Sequence, residues 1–195
     1  MTPHLDLHAD ALAALTGWRA PGRAQEALRQ RYVEHLAAHP DGLDRTCRPD
    51  HLTASTLVLD ADHGTALLTL HAKARAWFQL GGHCEPGDAT LVGAALREAT
   101  EESGLAGLRL DPAPVQLSEH AVPFCGTNGP ARPVHHLDVR FVAVAPPGAV
   151  HAISEESLDL RWWPLDALPD PQADLVELVE LARARVADGG FEARR

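Results

Sequence analysis

The residues of this sequence best placed to do chemistry are three glutamates at short spacing, Glu98, Glu101 and Glu102. They follow a segment rich in glycine and proline at 81–88 and lie in a stretch that predicts a helix over 90–103. Because residues three and four apart share one face of a helix, the three carboxylates would repel one another unless a cation lay among them. Hard oxygen ligands of this kind are those that Mg²⁺ prefers. The spacing predicts a magnesium site, and the alternative is a solvated acidic helix face with Arg97 as a passing partner.

The segment from Gly82 to Leu105 resembles the Nudix box, whose family pattern is GX5EX7REUXEEXGU with U an aliphatic residue. The positions that match are Gly82, Arg97, Glu98, Glu101, Glu102, Gly104 and Leu105. Asp88 stands where the first glutamate is expected, and eight residues instead of seven separate it from Arg97. The extra residue falls at the junction of loop and helix and leaves the helical glutamates in register. Whether Asp88 takes the role of the first glutamate of the pattern therefore stays open. More loosely, the resemblance covers about residues 50–170.

The resemblance implies an α/β fold, an α/β/α sandwich around a mixed sheet. It implies hydrolysis of a phosphoanhydride bond in a nucleoside diphosphate linked to another moiety, with Mg²⁺ as cofactor and Mn²⁺ as a substitute. The implied metal ligands are Glu98, Glu101, Glu102 and the main-chain carbonyl of Gly82. Glu101 or Glu102, or an acid outside the box, would take the proton of the attacking water, and Arg97 would orient a box glutamate through a salt bridge. This fits general chemistry, since Mg²⁺ neutralises pyrophosphate oxygens and lowers the pKa of a bound water.

Further candidate site residues lie outside the glutamate helix. His83 and Glu85 belong to the box loop, Arg75 precedes a short strand and suits a phosphate, and Trp77 suits stacking on a base. Glu156 is a candidate for an extra acid on a loop. Each has a plainer alternative, because loop charges are commonly solvated and strand aromatics commonly pack in the core.

A zinc site is suggested by His135 and His136, which lie near Asp138. Adjacent residues of a strand point to opposite faces, however, so the two histidines are not expected to share an ion.

The elements that must position these residues follow from hydrophobic periodicity. Residues 1–45 predict a helical N-terminal extension, in which Leu28, Tyr32 and Leu36 recur every four residues, and residues 46–195 predict the Nudix domain. The domain should contain a hairpin over 53–71, strands near 76–80, 115–122, 136–143 and 157–164, a helix over 90–103 with Val92, Leu96, Ala99 and Ser103 on its apolar face, and a last helix ending before Gly189. The apolar stripe of the extension needs a surface, so we expect it to dock on the domain or to form a homodimer.

Composition limits the partners. The formal net charge is −10, from 27 acidic and 17 basic residues, which disfavours binding to DNA or RNA but not to a small nucleotide substrate held by a metal ion. The three cysteines form no CxxC pair and suit a reducing compartment. With no predicted signal peptide or membrane span, the expected location is the cytoplasm.

Two alternatives to an active hydrolase remain open at this point. A Nudix-like module that binds a nucleotide for regulation without hydrolysing it would be favoured by loss of box glutamates, and all three helical ones are present. A related isomerase or repair domain would need a larger domain or a basic surface. The sequence does not choose the nucleotide derivative, whose recognition we assign to loops such as 126–133 and to the extension.

Overall fold

A mixed eight-stranded sheet forms the centre of the protein. The computed structural model describes residues 3–48, 50–122, 134–153 and 157–189. Its helices are α1 (Pro3–Gly17), α2 (Arg23–Ala38), α3 (Leu91–Ser103) and α4 (Ala173–Ala187). Its strands are β1 (Asp50–Leu59), β2 (Thr65–His71), β3 (Trp77–Phe78), β4 (Leu80–His83), β5 (Arg109–Leu110), β6 (Gln116–Ala121), β7 (His135–Val144) and β8 (Ser157–Pro164). Within these ranges, no helix is long and apolar enough to cross a membrane.

Strand β1 organises the sheet. It pairs in parallel with β7 along its whole length, from Asp50 beside His135 to Leu59 beside Val144. It also pairs antiparallel with β2 near its end and with β4 over residues 53–56. Strands β3 and β8 extend the sheet from β2, and β5 and β6 extend it from β7. Every residue of β1 is buried, which explains the β-branched and apolar content of its sequence.

Helices cover both faces of the sheet, which confirms the predicted α/β/α layering. Leu52 and Ala54 of β1 point to the face covered by α1, α2 and α3. Leu57 and Leu59 point to the opposite face, where they pack against α4. The alternation of burial partners along β1 follows from the two-residue period of a strand. We call these the α3 face and the α4 face.

The apolar face predicted for α3 packs on the core but is not its most buried side. Ala99 and Ser103 are fully buried, and Val92 and Leu96 are half-buried and pack at the margins of the core. The most buried side chains of the helix are instead Leu91, Ala94, Ala95, Ala99 and Ser103. The small alanines let the helix backbone approach the sheet, and the hydroxyl of Thr56 on β1 donates to the carbonyl of Ala95 at 3.2 Å.

The strand predicted near 76–80 was also imperfect, because it divides into β3 and β4 and the second strand runs into the expected loop as far as His83. Pairing of β4 with β1 goes through Gly81 and Gly82, whose lack of side chains leaves no hydrophobic pattern to detect.

The N-terminal helices dock on the α3 face. Leu7 and Leu15 of α1 and Tyr32 and Leu36 of α2 are fully buried in one cluster with strand residues of β1, β6 and β7, whereas Leu28 is only partly buried at its margin. Gln25 pairs with the backbone of Leu117 on β6 by two hydrogen bonds, of 2.7 and 3.1 Å. These contacts make docking on the same chain the observed use of the apolar stripe.

Candidate active site

Helix α3 has well-defined ends, and these fix the phase of its glutamates. At the N-terminus, the hydroxyl of Thr90 accepts the backbone N–H of Gly93 at 2.9 Å. Asp10 of α1 accepts the N–H of Leu91 at 2.8 Å, placing a negative charge at the positive end of the helix. At the C-terminus, Gly104 adopts the left-handed conformation with φ 67°.

The two glycines of β4 bring its backbone into contact with α3. A Cβ atom on Gly82 would lie 2.7 Å from Oε2 of Glu98, so this carboxylate sits directly against the strand backbone. The N–H of Gly81 donates to Oε2 of Glu102 at 2.9 Å. Strand β4 and helix α3 therefore bring two predicted carboxylate ligands, Glu98 and Glu102, to the backbone beside Gly82, whose carbonyl is also a predicted ligand.

Arg97 connects the acidic groups of the site. Its guanidinium donates to Asp88 through two hydrogen bonds of 3.0 Å, to Glu98 at 3.0 Å and to Glu101 at 2.9 Å. It also donates to the carbonyl of His83 at 3.0 Å. Asp88 reaches Arg97 despite the inserted residue between them. The role of Asp88, which the sequence left open, therefore includes a contact with Arg97.

Electrostatics separate the acids of this site. Burial is the largest influence on Glu98 and raises the pKa of its carboxyl, with Arg97 only partly opposing it and Glu101 adding to it. Burial also acts against ionisation of Asp88, but its hydrogen bonds with Arg97 and with the N–H of Glu85 outweigh burial and lower its pKa. The hydrogen bond with Asp88 is in turn the main cause of the raised pKa of Arg97. Arg97 is thus committed to Asp88, and the charge of Glu98 is incompletely compensated.

This donor set fits a divalent cation. Glu98 lies beside a strand backbone with its side chain 16% exposed, Glu102 is half-buried, and the side chain of Glu101 is 59% exposed. Carboxylate oxygens at the edge of solvent are suited to Mg²⁺, which keeps several waters when it binds protein. A cation at Glu98 would also supply the positive charge that Arg97 leaves lacking.

The remaining predicted residues lie at varied distances from this cluster. The side chain of Glu85 is exposed and its N–H donates to Asp88 at 2.8 Å, so it lies at the rim of the box loop. Arg75 is an exposed turn residue with φ 56°, just before β3. Trp77 packs edge-on against Trp163, with ring centroids 5.2 Å apart, at the margin of the core under α4. That contact favours the packing interpretation of Trp77. Glu156 and the 126–133 loop lie outside the described residues.

His83 points away from the glutamates. Gly82 faces Glu98, so the next residue along β4 faces the opposite side of the sheet. Its ring contacts His51 and His136 there, at centroid distances of 5.1 and 4.8 Å. Burial lowers the pKa of His83 to about 4 and is likewise the main cause of the low pKa of His136, about 3. His135, by contrast, bonds Asp50 at 3.0 Å, so the two adjacent histidines do lie on opposite faces.

A buried polar network on the α4 face was missed by the sequence reasoning. Asp138 accepts hydrogen bonds from Thr53 and Ser55 of β1 and from Arg140, at 2.9, 2.7 and 2.9 Å. Arg140 also donates to Asp174 of α4 at 2.9 Å. The signal was present in the alternation of 136, 138 and 140 with apolar neighbours, which assigns the polar residues of β7 to one face.

Comparisons with known proteins bear on the family and the fold. The sequence model of the NUDIX domain matches residues 49–181. A NUDIX-family hydrolase from Clostridium perfringens is similar in structure, with a TM-score of 0.56 and 23% identity over 69% of this chain and 97% of that one. An Ap4A hydrolase from C. elegans gives 0.54 and 18% over 70% and 98%. The NUDIX domain of Shewanella oneidensis NrtR, solved with ADP ribose, gives 0.52 and 20% over 78% and 97%. At these identities the structural likeness shows a shared fold. No curated protein matches.

Proposed function

The chain belongs to the NUDIX family of hydrolases, and we propose that it uses Mg²⁺ to cleave a phosphoanhydride bond in a nucleoside diphosphate linked to another moiety. The observation that carries the proposal is the convergence of Glu98 and Glu102 on the backbone of Gly81 and Gly82. This places carboxylates from a rigid, capped helix beside a strand backbone, the preorganisation that metal-assisted hydrolysis requires.

Each residue of the site has a part in this reaction. Glu98, Glu101, Glu102 and the carbonyl of Gly82 would hold the ion. Bound there, Mg²⁺ supplies charge neutralisation of the pyrophosphate and a water of lowered pKa. Arg97 fixes Glu98 and Glu101 through hydrogen bonds of 3.0 and 2.9 Å, and Asp88 fixes Arg97. Glu101 or Glu102 takes the proton from the attacking water, and Glu101 is the more exposed of the two to solvent.

The substrate class is proposed no more narrowly than this. The similar structures include one called an Ap4A hydrolase, one solved with ADP ribose and, from E. coli, a dihydroneopterin triphosphate pyrophosphohydrolase. These ligands share a phosphoanhydride and differ in what it carries. The common part of the site therefore recognises the pyrophosphate, and other segments choose the attached moiety.

The test is a hydrolysis assay over a panel that includes ADP-ribose, Ap4A, a pterin triphosphate and the nucleoside triphosphates. With Mg²⁺ we expect release of phosphate, pyrophosphate or a nucleoside monophosphate from at least one compound, and we expect excess EDTA to abolish it. Turnover that persists in EDTA would contradict the metal role. Tight binding of a panel member without turnover, with either Mg²⁺ or Mn²⁺, would identify a binding module instead.

A further inference from the structure

A row of histidines crosses four adjacent strands on the α4 face of the sheet. His51 of β1 lies beside His136 of β7 in the parallel register, and His136 lies beside His120 of β6. His83 of β4 pairs with Thr53, two residues from His51, and so lies diagonal to it. The carboxylates of α3 lie on the other face, since Gly82 separates Glu98 from this side.

Three of these rings converge. The centroids of His51, His83 and His136 are 4.8 to 5.1 Å apart in each pair. One nitrogen from each of the three lies within 4.8 Å of those of the other two. Nε2 of His51 and Nε2 of His83 are 3.2 Å apart.

The distance between Nε2 of His51 and Nε2 of His83 matches that of two ligands on one metal ion. Two imidazole nitrogens at about 2.0–2.1 Å from a tetrahedral ion are about 3.3 Å apart. The His51–His83 pair already has this separation. A nitrogen of His136 lies within 4.8 Å of both and would have to move closer for all three to bind one ion.

We propose that His51, His83 and His136 bind a divalent transition-metal ion of the zinc class. Neutral imidazole nitrogens favour Zn²⁺, Co²⁺ and Ni²⁺ over Mg²⁺, which prefers oxygen, so this site and the carboxylate site select different ions. Three protein ligands leave a fourth position for water or a ligand. His120 contacts only His136 of the three, with ring centroids 5.5 Å apart, and is not a ligand. The bound ion joins β4, which carries Gly81 and Gly82, to β1 and β7.

The experiment uses full-length protein without a histidine tag, stripped of metal by a chelator. Titration with Co²⁺ should give the intense visible bands of a four-coordinate ion, and Zn²⁺ should displace them while excess Mg²⁺ should not. Zn²⁺ should also raise the Tm, because an ion that binds the folded chain and not the unfolded one stabilises it. If the unmodified protein gave the pale spectrum of octahedral Co²⁺ alone, and Zn²⁺ did not change its Tm, the proposal would be overturned.

Variants locate the site. His51→Gln and His136→Gln should each weaken Zn²⁺ binding by at least about tenfold in calorimetry, as loss of ligand support commonly does. His120→Gln, the matched neighbour in the same row, and Glu98→Gln, on the other face, should keep the Co²⁺ bands. A second group of metal-binding residue types, His39, Asp41 and Cys47, is controlled by Cys47→Ser. Bands that vanish in Cys47→Ser or Glu98→Gln, yet survive in His51→Gln and His136→Gln, would assign the ion elsewhere and refute the three-histidine site.

Discussion

Arg97 divides its hydrogen bonds unequally among the acids around it, and this separates their functions. Asp88 receives two of them and is nearly buried, whereas Glu98 and Glu101 receive one each. Burial raises the pKa of Glu98, whereas for Asp88 the hydrogen bonds with Arg97 and with the N–H of Glu85 outweigh burial and lower the pKa. We therefore propose that Asp88 positions Arg97 and that Glu98 is the acid whose charge a bound cation would stabilise most.

Substitution of the helix glutamates should remove turnover while leaving the fold intact. We expect Glu98→Gln and Glu102→Gln each to lower kcat by about a hundredfold or more, because an amide is a poorer ligand and a poorer base than a carboxylate. Asp88→Asn should cost about tenfold, since it loosens Arg97 without removing a ligand. Steady-state kinetics at saturating Mg²⁺, with circular dichroism as the folding control, measures all three. Equal losses at Asp88 and Glu98 would show that Asp88 itself takes part in metal binding.

At the scale of residues, the sequence predicted the common face of the glutamates and a salt bridge from Arg97 to a box glutamate, but not the contact of Arg97 with Asp88. Helical spacing alone places Glu98, Glu101 and Glu102 on neighbouring positions, because a helix has a fixed period. The contact between Asp88 and Arg97 depends on the path of a loop with an inserted residue, and no periodicity reports that path.

Strand β4 joins the proposed metal site to the sheet, and its glycines permit the close approach of its backbone to β1 and α3. Gly81 has φ 152°, and a Cβ there would lie 2.2 Å from Cβ of Ser55 on β1. The sequence predicted a loop at these glycines, although they lie in a strand. A strand is held by backbone hydrogen bonds, and glycine has no side chain that would give the alternating pattern of a strand. The polar face of β7 was visible in sequence alternation, but its partners on β1, β6 and α4 arise from strand pairing that local sequence does not encode.

A methyl group at Gly81 should therefore damage both the fold and the site. Gly81→Ala introduces the contact with Ser55 and a backbone conformation that residues with a Cβ disfavour, so we expect the free energy of unfolding to fall by about 2 kcal/mol or more. Urea denaturation followed by circular dichroism measures this. Gly87→Ala, in the loop that follows β4, is the control, because nothing lies within 4 Å of a Cβ at that position. If the two variants had equal stability, β4 would not be packed against β1 as described.

On its α3 face, the whole molecule has two more helices than the box-bearing segment provides. The NUDIX match begins at residue 49, yet α1 and α2 fill the same core as α3 and the sheet. Amphipathic periodicity predicted that these helices need a surface to pack against, but an apolar stripe does not specify which surface. Polar contacts specify it, such as those of Asp10 with the N-terminus of α3 and of Trp18 with the carbonyl of Pro114 at 2.6 Å. Because the stripe is buried within its own chain, a homodimer would have to use another surface.

The division of the chain into an extension over 1–45 and a domain over 46–195 can be tested by deleting the first 45 residues. Leu7, Leu15, Tyr32 and Leu36 are each fully buried, and burial of a large apolar side chain contributes about 1.5–3 kcal/mol. Their combined contribution, about 6–12 kcal/mol, is similar to the whole stability of an ordinary domain. We therefore expect the deleted chain to lose its cooperative thermal transition and its activity.

A point variant tests the same burial without removing the helices. Leu36→Ala should lower the free energy of unfolding by about 2–5 kcal/mol in urea denaturation, whereas Glu34→Ala, on the exposed side of α2, should change it little. A deleted chain with unchanged Tm and turnover would show that the domain folds without α1 and α2 and that their burial adds nothing to its stability.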